Sequence, residues 1–309
     1  VTPPGGDNAL ELQFTRRPSW CTARAVLRRE GKVYTRMCRV RTAALPADDP
    51  VVATRLTRRT LQRAFYLAAI DCLGKEPPWG MLSGVRPVKL PTRAMEEGST
   101  PRQAEAMLKH YHVSPVRRQL AMDCAQASLA VKRSLQPEEI SLYVGIPFCP
   151  TRCAYCSFVS QSVERTLGLV EPYLEVLHRE ITDAAQMVRE TGLRIKSFYM
   201  GGGTPTTLSA RQMDRLLTRL NRSFDLSGCV EYCIEAGRPD TITREKLQVL
   251  LDHGADRISV NPQSLEDEVL RAIGRRHTAR DIREAFCTAR EVDFACINMD
   301  LIAGLPQDS

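Results

Sequence analysis

Polar and apolar positions alternate loosely over residues 8–41 of the 309-residue chain and then settle into a helical rhythm. The alternation predicts a strand at Leu10–Phe14 and a hairpin of Ala23–Glu30 with Lys32–Val40, turning at Glu30-Gly31. From Leu56 to Leu73, Leu61, Ala64, Phe65, Ala68, Ala69 and Cys72 recur at helical spacing, and Gly74 ends the helix. Arg58, Arg59 and Arg63 fall elsewhere on that wheel. The stretch Pro77-Pro-Trp-Gly80 through Gly84-Val-Arg-Pro87 predicts turns, because each proline removes a donor and restricts the residue before it. Helices are predicted at 101–111 and 115–133, and Gln136-Pro137 marks a boundary. The expected domains are therefore 1–138, a small α+β unit, and 139–309.

Beyond residue 141 strands alternate with helices, the signal of a parallel sheet with crossovers. Strands are predicted at 142–146, Ser197–Met200, Cys229–Glu235, Arg257–Val260 and Ile297–Ile302. Helices are predicted at 171–190, 210–222 and Thr243–His253, with Gly192 and Gly254 just past their ends. The first carries an apolar stripe of Leu174, Leu177, Ile181, Ala184, Ala185 and Val188. Ser264-x-x-Asp267 has the form of a capping box, and Thr278 is expected to cap a further helix. Alternation in the third strand turns Val230, Tyr232 and Ile234 toward the helices and Glu231, Cys233 and Glu235 the other way. Glu235 then sits at the strand's C-terminal rim.

Chemistry concentrates after the first of these strands, in Cys149-Pro-Thr-Arg-Cys153-Ala-Tyr-Cys156. Three thiolates on one loop can hold three corners of a cubane iron–sulfur cluster and leave the fourth iron open to a small molecule. A structural zinc site would want four ligands, and the nearest downstream histidine, His178, lies inside a helical pattern. Gly201-Gly-Gly-Thr-Pro205 follows the second strand, where glycines let backbone approach a ligand or make a tight turn. Cys229 and Cys233 read as strand residues rather than ligands. In the N-terminal domain no catalytic constellation is visible: Trp79 and Arg86 suit a packed turn, and His110 and His112 flank Tyr111 near a helix end.

Composition narrows the setting. No apolar stretch approaches the roughly 20 residues of a membrane span, and Val1-Thr-Pro-Pro-Gly-Gly-Asp7 lacks the regions of a signal peptide. Eleven cysteines without a regular framework suit a reducing compartment, and a cytoplasmic location is expected. The net charge of +7 is modest, but basic residues crowd Arg24–Arg41 and Arg55–Arg63. Such runs suit a solvated surface, nucleic acid or a polycarboxylate.

The phrase Tyr143-Val-Gly-Ile-Pro-Phe-Cys149 to Cys156 resembles the signature of radical S-adenosylmethionine (SAM) enzymes, in the branch of oxygen-independent coproporphyrinogen III oxidases. Pro77 to Leu90 looks like the HemZ-type subgroup. The resemblance implies an α/β fold, a partial (β/α)6 TIM-like barrel, here truncated after about five units. It implies a 4Fe-4S cluster on Cys149, Cys153 and Cys156, with SAM held by Tyr143, Tyr155, Gly201, Gly202, Gly203, Thr204, Glu235, Gln263, Arg275 and Asp300. Together these cofactors would generate a radical that abstracts hydrogen from a propionate side chain, which then loses carbon dioxide to become vinyl. Expected partners are a porphyrinogen, or haem, and a one-electron donor such as flavodoxin or ferredoxin, with nucleic acid the least expected. Two positions depart from the oxidases: Gly145 replaces a histidine and Phe158 a cysteine, and the ending Cys156-Ser-Phe158 is similar to that of related haem chaperones. Three readings follow in order: an oxidase-like enzyme, a haem chaperone, and a radical SAM enzyme acting on RNA.

Overall fold

In the computed structural model, which describes residues 8–82 and 86–308, Glu30 and Gly31 both take left-handed backbone, φ 49° and 74°. Two successive positive φ values are what a two-residue hairpin turn matched to strand twist requires. The turn joins β2 (Trp20–Arg29) to β3 (Lys32–Arg41), and β1 (Ala9–Arg16) pairs antiparallel on the other side of β2. Expectations for Val1–Asp7 and for Ser83–Val85 of the turn segment lie outside the described residues.

The chain divides into two compact units, Val1–Leu135 and Gln136–Ser309. In the first, α1 (Pro50–Leu73) begins six residues before the apolar rhythm becomes visible. Asp49 caps it by accepting the Val52 N–H at 2.9 Å, Pro50 suits the first turn, and Gly74 ends it at φ 65°. Small residues, Ala23, Ala25 and Cys38 on the sheet and Ala64 and Ala68 on the helix, form the contact. Phe65, expected on the buried stripe, is instead 38% exposed: it lies one residue round the helix from Ala64, which with Ala68 carries the contact with the sheet. A helix absent from the sequence reading, α2 (Lys89–Glu96), packs with α3 (Pro101–His110) and α4 (Pro115–Ser134) around Met95, Leu108, Met122 and Leu129. Trp79 packs against this cluster as the turn reading expects. The His112 ring lies 5.0 Å from that of Tyr66.

The second unit supplies the scaffold for the cysteine loop. Its elements are β4 (Glu139–Ile146), the two-residue β5 (Phe148–Cys149) and β6 (Gln161–Ser162), α5 (Val163–Thr166), α6 (Val170–Thr191) and β7 (Arg194–Gly202). There follow α7 (Ala210–Ser223), β8 (Glu231–Gly237), α8 (Arg244–Asp252) and β9 (Arg257–Gln263). Last come α9 (Asp267–Ala272), α10 (Ala279–Val292) and β10 (Cys296–Leu301). The five longer strands are all parallel, in the order β10-β9-β8-β7-β4, which is chain order read backwards. Such a sheet, with its helices on one side, is the α/β partial barrel expected.

Helix packing fixes the sheet's outer face. The stripe of α6, with Met213, Leu216, Leu217 and Leu220 of α7 and Leu247 and Leu250 of α8, covers Phe198, Met200, Ile234, Ile258 and Val260. Each leucine so buried contributes about 2 kcal/mol. Tyr232 and Ile234 join this core as alternation requires. Val230 does not: it precedes β8 and is 67% exposed, so the face rule does not reach it. The capping box at Ser264 is also corrected. Glu266 is the N-cap of α9 and makes no side-chain cap bond. The Ser264 hydroxyl accepts the Glu266 N–H at 3.1 Å, and Asp267 accepts the Ala279 N–H at 2.8 Å, tying the start of α9 to that of α10. Thr278 caps α10 as expected, in a box with Asp281.

Candidate active site

Parallel strands end on one rim, so the loops after β4, β7, β8 and β9 converge there. They enclose a cavity of about 410 Å³. Cys149, Cys153 and Cys156 line it, with Tyr143, Tyr155, Gly202, Gly203, Thr204, Glu235, Gln263, Arg275 and Asp300. Gly201 lies behind this wall, where an added Cβ would come 3.0 Å from a Glu235 carboxylate oxygen.

Two sets of contacts hold the cysteine loop. On one side the glycine run bonds back to it: the Gly203 N–H reaches the Ile146 carbonyl at 2.8 Å and the Thr204 N–H the Phe148 carbonyl at 2.7 Å. Gly202 has φ 109°, a conformation that favours glycine. The Thr204 hydroxyl lies 3.4 Å from the Cys149 sulfur, and burial pushes that thiol up while the hydroxyl draws it down. On the other side the Ala154 N–H donates to Ile273 and the Thr151 hydroxyl to Gly274, at 3.0 and 2.9 Å.

Arg238 braces the same loop. One terminal nitrogen donates to the Thr151 carbonyl at 3.2 Å and hydroxyl at 2.6 Å, while the rest of the guanidinium grips both Asp240 oxygens at 3.1 Å. His277, fully buried, places Nδ1 3.4 Å from an Asp240 oxygen. Burial alone would raise the Asp240 carboxyl, but His277 and Arg238 override it and hold the carboxyl at about 2. A depressed carboxylate stabilises the fold above its unfolded value near 4 and loses that contribution as pH falls toward about 2. The shift corresponds to roughly 2 kcal/mol. Asp240→Asn is expected to lower stability by about 3 kcal/mol at pH 7, because Arg238 is left buried without its anion. Chemical denaturation at pH 7 and pH 3 checks this: the gap between wild type and variant should shrink at the lower pH, and an equal gap at both would contradict it.

The opposite wall is polar and incompletely satisfied. Arg275, 6% exposed, donates to the Tyr155 hydroxyl at 3.2 Å and to the Asn261 carbonyl. Its Nε and the Asn261 side-chain oxygen are buried without partners. Buried polar groups are normally paired, so such orphans at a cavity wall suit a polar ligand. Gln263 stands at φ 71°, an uncommon conformation for a non-glycine residue. Burial raises the Glu235 carboxyl, and the Tyr199 hydroxyl, 2.5 Å away, works against that rise. The Tyr199 phenol is in turn pushed far above its ordinary range by burial and by Glu235. The Tyr143 ring stacks on Tyr199 at 5.9 Å, and exposed Asp300 accepts from Asn298 at 2.9 Å.

The geometry therefore gathers the cysteines and nine of the ten ligand candidates at one cavity. Tyr199, Arg238 and Asn261 were missed. Tyr199 was within reach, because it stands directly across from Tyr143 in the β4–β7 register and alternation turns both to the same face. Among the described residues no three His, Cys, Asp or Glu side chains converge on a single-ion site. A cubane does not require that, since each thiolate takes a different iron. Three soft donors, glycine-held backbone and orphan polar groups on the facing wall suit a cluster with a polar organic ligand on its open iron.

Comparison with known proteins agrees with this geometry. The profile of the radical SAM superfamily matches residues 143–309. The oxygen-independent coproporphyrinogen-III oxidase-like protein HemZ of Bacillus subtilis is 43% identical over 232 residues, 74% of this chain and 46% of that protein. The haem chaperone HemW of the same organism is 38% identical over 170 residues, 54% of this chain and 43% of the relative. The solved coproporphyrinogen III oxidase HemN of Escherichia coli superposes with a TM-score of 0.51 at 32% identity, covering 60% of this chain and 42% of that one. The chain thus spans about half the length of the curated relatives it matches.

Proposed function

This chain belongs to the radical SAM superfamily, whose members use a 4Fe-4S cluster and SAM, and from that premise we propose that it acts as an oxygen-independent coproporphyrinogen III oxidase-like enzyme. The observation that carries the proposal is the single cavity shared by Cys149, Cys153 and Cys156, Glu235, Gln263 and Arg275. The three cysteines would hold three irons. Gly202, Gly203 and Thr204 shape the wall beside them, and Glu235, Gln263, Arg275 and Asp300, with Tyr143 and Tyr155, present the groups that would orient SAM. When bound, the two cofactors supply one-electron chemistry ending in hydrogen abstraction from an unactivated carbon. The chain's own part is orientation and exclusion. Arg238 and the glycine run fix the cysteine loop, and the Glu235–Tyr199 pair keeps a desolvated acceptor facing the cavity. A one-electron donor such as flavodoxin or ferredoxin would serve the cluster.

A second reading, haem chaperone, is favoured by one feature. Phe158, 69% exposed on the same cavity, stands where the oxidase resemblance calls for a cysteine. The test is anaerobic reconstitution with SAM and reductant, following 5′-deoxyadenosine and carbon dioxide with and without coproporphyrinogen III. Substrate-dependent formation of both is expected. SAM cleavage without substrate-dependent decarboxylation, together with stoichiometric haem binding, would replace the enzyme by the chaperone.

A further inference from the structure

Charge is divided unevenly along the chain. Residues 1–135 carry 23 Lys and Arg against 11 Asp and Glu, a net of +12, while residues 136–309 carry 20 against 25, a net of −5. The unit without the cysteine loop therefore holds all of the protein's excess positive charge. Such a field draws polyanions, and the question is whether the fold gives them a seat.

The three-stranded sheet does. Its register sets Gln13, Arg24 and Met37 in one cross-strand row and Thr15, Thr22 and Arg39 in the next, and paired residues share a face. Cys21, Ala23 and Ala25 alternate with these to the opposite, buried face. On the outer face a hollow of about 530 Å³ is lined by these two rows with Arg17 and Trp20. No acidic side chain lines it, and Arg17, Arg24 and Arg39 make no ion pair among the described residues. Trp20 is 43% exposed, and Arg41 lies 5.7 Å from its ring centroid. Met37 adds a second apolar surface, 58% exposed.

We propose that this sheet face binds single-stranded nucleic acid. Exposed tryptophan offers a stacking platform for a base, unpaired guanidiniums bind phosphate, and Thr and Gln side chains supply neutral hydrogen bonds. Successive rows on a strand lie about 6.8 Å apart, comparable to the step between phosphates of an extended single strand. A chain-like ligand fits better than a small tetracarboxylate, because a stacking surface at Trp20 beside guanidiniums and neutral donors repeated from row to row suits a polymer of bases and phosphates. This inference concerns the first unit alone, does not depend on the reaction proposed above, and reverses the sequence-based expectation that nucleic acid is the least expected partner.

The experiment uses the whole chain with fluorescein-labelled 20-nucleotide RNA and DNA of mixed sequence, single-stranded and duplex, read by anisotropy. Single strands should bind in preference to duplex. Affinity should fall about 20-fold between 50 and 200 mM salt, as three phosphate contacts require. Trp20→Ala should weaken binding about 10-fold. The double variant Arg24→Glu/Arg39→Glu should abolish it, whereas Arg102→Glu, exposed on α3, should change it less than twofold. These surface variants should keep the wild-type melting temperature. Equal affinity for RNA and DNA would leave the site one for either, and a difference would name its source. Preference for duplex, or equal losses from Arg102→Glu and the double variant, would overturn the proposal. So would binding of coproporphyrin or haem that quenches Trp20 while single strands do not.

Discussion

Replacing Cys149, Cys153 or Cys156 singly by Ala is expected to take bound iron from about four per chain to near zero after anaerobic reconstitution, and SAM turnover to background. A cubane on two thiolates has two open irons and falls apart, so the three positions should behave alike. Cys229, Cys233 and Cys287 provide the controls. Cys233 is 1% exposed within β8, and burial pushes its thiol up to about 11, so little thiolate exists near neutral pH to bind a metal. The Cys229 sulfur points toward the Ile195 carbonyl at 3.8 Å, and Cys287 is exposed on α10. Ala at these three should leave iron content unchanged. Full iron in any cysteine-loop variant, or its loss in any control, would mean that the ligands are misassigned.

The route from sequence to site was short where backbone periodicity settles position. Strand alternation placed Glu235 at the rim, and βα alternation placed the cysteine loop and the glycine run on neighbouring strand ends, because parallel strands joined by crossovers leave no other side for their loops. What stayed hidden belongs to tertiary contact. The start of α1 is set by Asp49 and Pro50, outside the apolar rhythm. The brace of Arg238, Asp240 and His277 joins residues far from the loop they support, and an arginine in a turn carries no mark of such a partner. Ser264 shows the reverse case. It matches a motif, yet its hydroxyl is used two residues away, because the chain enters α9 later than the pattern suggests. The sequence alone leaves the glycines two uses, close approach of backbone to a ligand or a tight turn. A Cβ added at Gly202 or Gly203 would first meet Ile146 or Phe148 backbone, and one added at Gly201 the cavity-lining side chains of Tyr199 and Glu235.

That difference yields an ordering of effects. A Cβ at Gly203 would lie 2.7 Å from the Phe148 carbonyl oxygen, 2.9 Å from its nitrogen and 3.0 Å from the Cys149 sulfur. Two of these neighbours are backbone and cannot rotate aside, so Gly203→Ala must part the end of β7 from the start of the loop. The bonds from Gly203 to Ile146 and from Thr204 to Phe148 span that same gap and would lengthen with it. Overpacking of this kind costs about 1–3 kcal/mol, and its displacement falls on the loop that holds the first cysteine. At Gly201 the nearest atoms are the Tyr199 ring, at 2.7 Å, and the Glu235 carboxylate, side-chain groups that can shift. At Gly228 the nearest is the Ile195 carbonyl at 3.9 Å, an ordinary contact. Gly203→Ala is therefore expected to cut reconstituted iron at least tenfold, Gly201→Ala to keep iron while weakening SAM binding, and Gly228→Ala to change neither. Iron analysis, SAM titration and melting curves on the three variants would show it. Wild-type iron and an unshifted melting temperature for Gly203→Ala would mean that the loop is not held by the glycine run.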